Sequence, residues 1–556
     1  MAVTSLVDFN PQSIDMIFAV SQQNLNEGLA EYIRGLSSQV SWEFDVDNAG
    51  ELSPPANPDK PDITFSGTLA PPAQPQSGHP VWIVDLSKAG AANQVVFNLT
   101  FQDGAKFTDN QTGHSYTQSV TSGGFQWIVP FDIDLTLNKI KNKKDLPDWL
   151  KKRLAVLNGD YGDVFDLSQI LLDLDTLVMG TDPTVSRPKD ISLYEWTLIL
   201  QGMSTFLASS SGNVFTQSPS AGYAVTHNGA TSTQPLPTYT PTAADFVIVP
   251  NSAYDGGASA LVFVLMVQNN PLPSTPANAF TNVSLIADPT TIPGVALINS
   301  QQFVSFVQSD FESIGLATAI NQYVQSVKSD GGGVTWQLAS SPDTATSTNQ
   351  TPSTANSQEF LSFAMPQQTS NASNFFPGGT HSSANSTTDS NASVNFSEFQ
   401  TNIGYNSISA SGTLSMSVSY SNTSPSGSNI SWDSPTFKWN WSIYYAIQPV
   451  NAQDTQSGGG VQFVLNTKKS VFPTTPVDAG GGDSAWNTVE PSKQDFVTDL
   501  LAPVIQALPG TFQSGIQSLA SLGNFVFPGG GTFTFRDSAV NSVYALYSTI
   551  QYQNPN

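Results

Sequence analysis

Cysteine is absent from the 556-residue chain. Its absence excludes disulfide bonds, thiolate nucleophiles and the zinc or iron–sulfur sites that are built on cysteine. Histidine is almost as scarce, and no two histidines stand two or four positions apart; the four are His79, His114, His227 and His381. Since an HExxH motif is also missing, we expect neither a metal site nor a catalytic histidine.

Positive charge is in short supply. Lys and Arg number 19 against 43 Asp and Glu, so the formal net charge is −24, and charged residues make up only 11% of the chain. Such a charge repels phosphate backbones, and we therefore expect no nucleic-acid partner. Ser, Thr, Asn, Gln and Gly carry most of the polarity, which favours many strands and turns.

Long apolar runs are missing as well. No window approaches the ~18 to 20 uncharged apolar residues that span a bilayer. MAVTSLVDFNPQ, at the start of the sequence, has neither the basic region nor the apolar core of a secretory signal. We expect a protein that is cytoplasmic or released without a Sec signal peptide, with no transmembrane segment.

The sequence also lacks the familiar catalytic and phosphate-binding motifs GxSxG, GxxxxGKS/T and GxGxxG. Three Asp-x-Asp pairs, at 45 and 47, 132 and 134, and 173 and 175, each place two carboxylates on one face of a strand. Calcium binding or acid–base chemistry would need further ligands or a cleft, so a solvated strand face is the favoured interpretation. We expect a non-enzymatic protein without a cofactor, and a hydrolase is the least supported alternative.

Apolar periodicity predicts a long helix followed by a sheet. Three- and four-residue spacing predicts one helix over 14–36, and alternation then predicts a strand through Val40, Trp42, Phe44 and Val46. Further strands are predicted over 63–69, 81–86, 95–101 and 125–137.

The second half of the chain repeats this order. A second apolar stripe predicts a helix over about 300–328, and strands follow at 334–338, 412–420, 437–447 and 461–465. The Ser/Thr/Asn-rich stretch at about 341–397 is either a mobile insertion or a set of strands that the pattern fails to reveal. We predict an α+β fold of two modules, residues 1–295 and 296–556, in which a long-stranded antiparallel sheet wraps around each amphipathic helix.

A sheet that wraps around a helix leaves a long seam between them. A filled seam is a core, whereas a sheet that stands off the helix leaves an apolar groove suited to an acyl chain. Under the second reading we expect a lipid or other apolar small molecule in the seam. The residues predicted to line it are Leu25, Leu29, Trp42 and Phe44 in the first module and Ile320, Val324 and Trp336 in the second.

Four segments carry a resemblance to a known family. SIDMIFAVSQQNLNEGLAEYI at 13–33, FDLSQILLDLDTLV at 165–178, SALVFVLMVQNNPLP at 259–273 and FVFPGGGTFTFRDSAVNSVYALYSTIQY at 525–552 resemble segments of the clostridial OrfX and P-forty-seven proteins. These belong to the TULIP, or tubular lipid-binding, superfamily. The resemblance implies helix-wrapping sheets, lipid binding or assistance in toxin delivery, and a toxin or a homologous accessory protein as a protein partner. If the seams are filled, a surface-interaction or toxin-complex role is the alternative.

Basic residues are concentrated at 139–153, which holds seven of the chain's 19. Asp145 and Pro147 favour a helix start, and a basic amphipathic helix bearing a Trp is typical of a segment that contacts lipid headgroups. The alternative is a surface helix with solvated lysines. The residues expected at an anionic membrane surface are Lys143, Lys144, Trp149, Lys151 and Lys152.

We predict weak, salt-sensitive binding to anionic liposomes and little binding to neutral ones. Each lysine near an anionic surface contributes about 1 kcal/mol, and distant carboxylates are screened beyond a Debye length of about 8 Å. Replacing Lys143, Lys144, Lys151 and Lys152 by Gln should abolish flotation with anionic vesicles and leave the melting temperature unchanged. Equal flotation of parent and variant at low salt, or flotation of neither, would contradict the membrane role.

Overall fold

The structure is a computed structural model. It describes residues 4–11, 13–36, 39–72, 80–88, 93–119, 126–140, 165–179, 187–208, 220–227, 239, 241–318, 321–329, 334–341, 346–349, 358–375, 381–401, 403–423, 426–450, 460–471, 477–478, 524–526 and 533–552.

Most of the described residues form strands. Those that precede residue 230 are β1 (Thr4–Ser5), β2 (Met16–Ser21), β3 (Gln39–Val46), β4 (Leu52–Ser53), β5 (Ile63–Thr68), β6 (Val84–Asp85), β7 (Gln94–Thr100), β8 (Lys106–Asp109), β9 (His114–Thr117), β10 (Ile128–Ile140), β11 (Phe165–Met179) and β12 (Ser220–His227). Those that follow are β13 (Pro241–Val249), β14 (Ala260–Val267), β15 (Val283–Ser284), β16 (Gly294–Ile298), β17 (Asn321–Ser329), β18 (Val334–Ser341), β19 (Thr346–Asn349), β20 (Glu359–Phe375), β21 (His381–Gln400), β22 (Gly404–Thr423), β23 (Asn429–Asp433), β24 (Phe437–Val450), β25 (Gly460–Leu465), β26 (Val477–Asp478), β27 (Asn524–Val526), β28 (Phe533–Val540) and β29 (Leu546–Tyr552).

Three α-helices occur in the described part of the chain: α1 (Gln22–Leu36), α2 (Leu193–Ala208) and α3 (Ser300–Thr318). Short 3-10 turns lie at Leu6–Asp8, Leu86–Lys88, Ala253–Gly256 and Pro276–Phe280. A polar side chain caps each α-helix: Ser21 Oγ accepts from Asn24 N at 3.1 Å, Ser192 Oγ from Glu195 N at 3.2 Å and Asn299 Oδ1 from Gln302 N at 2.9 Å.

The strands form one large and several small sheets. The largest has 15 strands and contains the order β13-β14-β2-β16-β29-β28-β22-β21-β20-β19, with β23 to β27 attached through β22, β24 and β25. Two five-stranded sheets have the orders β12-β11-β10-β7-β6 and β4-β3-β5-β8-β9. Strands β17 and β18 pair separately, and every pairing among the described strands is antiparallel except that of β1 with β15.

β2 and β16 are antiparallel neighbours inside the largest sheet. Val20 pairs with Gly294 and Met16 with Ile298. Each strand runs directly into a helix, β2 into α1 and β16 into α3. Because the two strands run in opposite directions, the two helices leave from opposite ends of the pair.

Both faces of this strand pair are buried. Met16 and Phe18 belong to a large apolar cluster that also holds residues of α1, α2 and α3, whereas Ile17 and Ala19 belong to a second cluster on the other face. Leu25, Leu29 and Ile33 of α1 and Phe303, Val307 and Phe311 of α3 recur every four residues and are buried in the first cluster. Four-residue spacing therefore gives each helix one core-facing stripe.

Two predicted helices are wrong in part. Residues 16–21 of the predicted 14–36 helix form β2, and residues 321–328 of the predicted 300–328 helix belong to β17. A strand buried on both faces reads as an unbroken apolar run, and such a run satisfies helical spacing as well as strand spacing.

The predicted strands are largely confirmed. Alternation at 40–46, 63–69, 95–101, 125–137, 334–338, 412–420, 437–447 and 461–465 corresponds to β3, β5, β7, β10, β18, β22, β24 and β25. The segment at 81–86 holds only the two residues of β6 before a 3-10 turn. The Ser/Thr/Asn-rich stretch at 341–397 is largely strand, because β20 and most of β21 lie in it.

The predicted α+β class agrees with a mostly antiparallel β fold that carries α1, α2 and α3 in its described part. The wrapping of one sheet around one helix in each of two modules stays a prediction. The proposed boundary between residues 295 and 296 falls inside β16, a strand of the largest sheet, and the division into modules also stays a prediction.

The Asp15 carboxylate connects three elements near this strand pair. Its side chain is buried, Oδ2 accepts from Val267 N and Asn270 Nδ2 at 2.9 Å each, and Oδ1 accepts from Gln302 Nε2 at 3.1 Å. Val267 ends β14 and Gln302 lies in the first turn of α3. One side chain therefore holds the start of β2 against β14 and α3.

We predict that Asp15→Ala lowers the free energy of unfolding by about 3 kcal/mol, because it leaves three donors without their acceptor in a buried place. Urea unfolding followed by circular dichroism measures the change. The exposed Asp59→Ala is the matched control and should stay within about 0.5 kcal/mol of the parent. A similarly small change for Asp15→Ala would contradict the role of this carboxylate.

Candidate functional site

A row of aromatic rings crosses the sheet that contains β3, β5 and β8. Trp42 pairs with Phe65, and Phe65 pairs with Phe107, so the three side chains share one face. The Trp42 ring lies 5.4 Å from that of Phe65 and 6.4 Å from that of Phe107, centroid to centroid. We call these three residues the first aromatic row, and all three are buried.

α2 lies directly on this row. A Cβ atom built on Gly202 would be only 2.5 Å from the Trp42 ring. The helix backbone can therefore approach the indole only because residue 202 has no side chain. Trp196, Leu200 and Met203 of the same helix are buried in the same cluster.

Glu195, in the first turn of α2, ties the helix to strand β9. Its Oε1 lies 2.9 Å from His114 Nδ1, and its Oε2 accepts from Tyr116 OH at 2.9 Å. Ser192 Oγ also donates to Oε2, and Ser192 N donates to it at 3.2 Å, which completes a capping box. Tyr116 pairs with Phe107 in the adjoining strand, so Glu195 lies at the end of the first aromatic row.

The hydrogen bonds decide the protonation of this carboxylate. Burial acts to raise the pKa of Glu195, but the bonds from Ser192, His114 and Tyr116 outweigh it, and the pKa lies below its ordinary value. Burial, followed by the bond to Glu195, raises the pKa of Tyr116. A neutral tyrosine therefore donates to an ionised glutamate.

Ser192, His114 and Glu195 are the residue types of a hydrolytic triad, but their arrangement differs. Ser192 Oγ and His114 Nδ1 contact different oxygens of the same carboxylate. In a triad the imidazole stands between the hydroxyl and the acid and takes the hydroxyl proton. Here the acid stands between the other two groups, which fits a capping role.

A second aromatic row lies under α3. Phe360, Phe396 and Tyr445 stand on β20, β21 and β24, and all three are buried. The Phe360 and Phe396 rings are 4.6 Å apart, and Phe311 of α3 meets the Tyr445 ring edge to face at 5.4 Å. We call Phe360, Phe396 and Tyr445 the second aromatic row.

Each row contains one polar atom that lacks a partner. Trp42 Nε1 and Tyr445 OH are buried and make no hydrogen bond to any residue that the structure describes. Trp42 is 4% exposed and Tyr445 is 1% exposed. Burial also raises the pKa of Tyr445, so its hydroxyl stays protonated well above neutral pH.

The ligand-lining residues that were predicted for the first half belong to the large apolar cluster or pack against it. Leu25, Leu29 and Trp42 are buried in one cluster, and Phe44 packs against it with its ring 5.5 Å from that of Trp42. Val324 and Trp336 lie in the paired strands β17 and β18. Ile320 and the residues predicted to contact a membrane, Lys143, Lys144, Trp149, Lys151 and Lys152, lie outside the described residues. That the seven predicted seam residues bind lipid stays a prediction.

The first Asp pair closes a loop. Asp45 Oδ2 accepts from Ala56 N at 2.7 Å, and Asp47 Oδ1 accepts from Ala49 N and Glu51 N at 2.8 Å each. In the second pair, a register shift in β10 lies between positions 132 and 134. Within the described part of the chain, no group of three or more His, Cys, Asp or Glu side chains is placed to hold a metal ion.

Sequence reasoning missed α2 and therefore the contact that covers Trp42. The sequence did contain a signal, because Ser192 and Glu195 have the spacing of a capping box and an apolar run follows them. Gly202 interrupts that run, and a lone glycine lowers the helix propensity. The reason for a glycine at position 202 is visible only in the structure, where the indole of Trp42 packs against the helix backbone.

The described fold is therefore a mostly antiparallel β protein in which helices cover aromatic rows. No protein-family model matches the sequence, and no curated protein matches it. Among solved structures the chain is similar to the P47 (P-forty-seven) protein of Clostridium botulinum E1, with a TM-score of 0.40, 10% identity and coverage of 97% of this chain and 99% of that chain. For P47 of Clostridium botulinum A2 the TM-score is 0.39, with 12% identity and coverage of 98% of each chain.

A lipopolysaccharide binding protein is also similar, with a TM-score of 0.23, 9% identity and coverage of 98% of this chain and 100% of that chain. The resemblance to the P47 proteins that the sequence indicates is thus also found among solved structures. At these TM-scores nothing about ligands or partners passes from those proteins to this chain.

None of the helices α1 to α3, in the part of the chain that the structure describes, combines the length and the apolar character needed to cross a bilayer.

We predict that Glu195 contributes stability that depends on pH. Its folded pKa is below the ordinary value of 4.5, so the contribution is complete above about pH 5 and is lost as the pH falls through the folded pKa. The gap in melting temperature between the parent and Glu195→Gln should be constant near neutral pH and should close below about pH 4.5. Thermal melts from pH 3 to pH 7 measure this gap.

Glu27→Gln is the matched control, because Glu27 is an exposed helical glutamate in α1. Its melting temperature should follow that of the parent across the range. If the gap for Glu195→Gln does not change between pH 7 and pH 3, the ionised carboxylate is not what stabilises the start of α2.

Proposed function

We propose that the protein is a non-enzymatic binder of a lipid or other apolar ligand, which it holds within the apolar cluster that contains the two aromatic rows. The supporting observation is the large apolar cluster itself. It runs without a break from Leu25 and Trp42 in the first half to Phe311 and Tyr445 in the second half. Sites for apolar ligands are lined in this way, by aromatic and aliphatic side chains with a few polar atoms among them.

A non-enzymatic role is also what the polar residues support. The carboxylates of Asp45, Asp47 and Glu195 are bonded to backbone amides and to capping side chains. These bonds give the acids a role in local structure, which supports a non-enzymatic protein.

A substitution inside the seam tests the proposal. Leu29 is buried in the cluster, and Leu29→Trp adds volume there. If the seam is open to a ligand, the added ring occupies ligand space, and the variant should carry several-fold less lipid at an unchanged melting temperature. If the seam is filled, the same ring overpacks the core and costs about 1 to 3 kcal/mol.

The measurement is lipid bound after incubation with palmitoyl-oleoyl phosphatidylcholine vesicles, re-purification and native mass spectrometry with lipid extraction. Glu27→Trp is the control, because it adds the same ring to the exposed side of α1; it should bind as much lipid as the parent. Stoichiometric lipid on the parent and its loss in Leu29→Trp are the expected results. Reproducible absence of lipid from the parent, both after this incubation and after purification from its own host, would favour the alternative role in binding a protein partner at the surface.

A further inference from the structure

In the described part of the chain, Trp42 Nε1 and Tyr445 OH are the two aromatic polar groups among five buried side-chain atoms that lack a hydrogen-bond partner. Two other aromatic side chains do have partners: Trp82 Nε1 donates to Asp255 O at 2.8 Å, and Tyr547 OH donates to Ile403 O. Trp42 Nε1 and Tyr445 OH are more deeply enclosed than Trp82 and make no such bond to the described residues. Buried polar groups are almost always paired, because an unpaired one loses its bonds to water without replacement.

Packing alone does not explain these two residues. The rings that contact them include phenylalanines: Phe65 and Phe107 lie beside Trp42, and Phe311 of α3 meets Tyr445. A phenylalanine at position 445 would have the same ring without the hydroxyl. The hydroxyl and the indole N–H therefore add hydrogen-bonding capacity, not apolar surface.

We infer that Trp42 Nε1–H and Tyr445 O–H are the groups that hydrogen-bond the ligand, one in each aromatic row, and that the ligand is an acyl ester or amide with a neutral carbonyl. The inference rests on the proposed function. An indole N–H is only a donor, so the ligand must present an acceptor. The raised pKa of Tyr445 keeps its hydroxyl in the protonated, donating form.

The surroundings select a neutral acceptor. A carboxylate or phosphate buried among phenylalanine rings would need a cationic partner to offset its lost hydration. An ester or amide carbonyl needs only a single donor, and each row supplies one. Esterified or amidated acyl chains therefore fit these rows better than free fatty acids or plain hydrocarbons.

The test compares two probes that differ only in the acceptor. One is the methyl ester of a pyrene-labelled fatty acid, and the other is a pyrene-labelled alkane of equal length. Both are supplied from phosphatidylcholine vesicles, and pyrene fluorescence reports their transfer to the protein. The parent should bind the ester about tenfold more tightly than the alkane, as one good hydrogen bond to the ligand allows.

The double variant Trp42→Phe, Tyr445→Phe should bind both probes equally, with its affinity for the alkane unchanged. The matched control is Trp82→Phe, Tyr547→Phe, which removes an indole N–H and a hydroxyl that have protein partners. This control should keep the tenfold preference. Tyr445→Phe alone, which removes a single oxygen, serves if the double variant fails to fold; it should lose the preference at one of the two sites.

The outcomes separate the inference from the proposed function. If the variants bind the probes and still prefer the ester tenfold, the two donors do not contact the ligand, and the proposed function stands. If the parent binds ester and alkane equally, the ligand class is wrong and the seam remains a binding site. If the parent binds neither probe, the proposed function and the inference both fall.

Discussion

The antiparallel pairing of β2 with β16 sets the positions of the other elements. Both strands are buried on both faces, so neither can shift register without moving a whole set of apolar side chains out of its cluster. Each continues directly into a helix, and the opposite strand directions send α1 and α3 apart. The strands of the first aromatic row follow α1 in the chain and those of the second row follow α3, and both rows contribute to the one large apolar cluster.

The sequence predicted strands more reliably than helix boundaries, for a physical reason. Strands with one buried face, such as β3, alternate between buried and exposed positions, and this pattern is visible in the letters. β2 has no exposed face, so its six buried residues look like one turn more of the helix that follows. In the Ser-rich strands the alternation is lost among small polar residues, which pair across strands; Ser383 Oγ and Ser421 Oγ, for example, lie 2.7 Å apart.

The candidate site was only half predictable. Trp42 stood out because it follows an apolar stripe and alternates with polar residues. Tyr445 did not stand out, because one tyrosine in an aromatic strand carries no signal of where its hydroxyl will lie. That two donors lack partners is a property of the folded surroundings, and neither spacing nor composition records it. The same holds for Glu195, whose three side-chain partners come from its own cap and from a strand about 80 positions earlier.

The pairing of β16 with β29 affects how the chain folds during its synthesis. β16 lies between β2 and β29, and Asn541, just before β29, donates to the carbonyl oxygen of Phe9, 532 positions earlier in the chain. At a synthesis rate of about 5 to 20 residues per second, β16 leaves the ribosome tens of seconds before β29. During that interval β16 has an unpaired apolar edge of the kind that joins other chains. The nascent protein therefore has a period in which aggregation competes with folding, and in a crowded cell its yield depends on how well that edge is shielded until the last strand arrives.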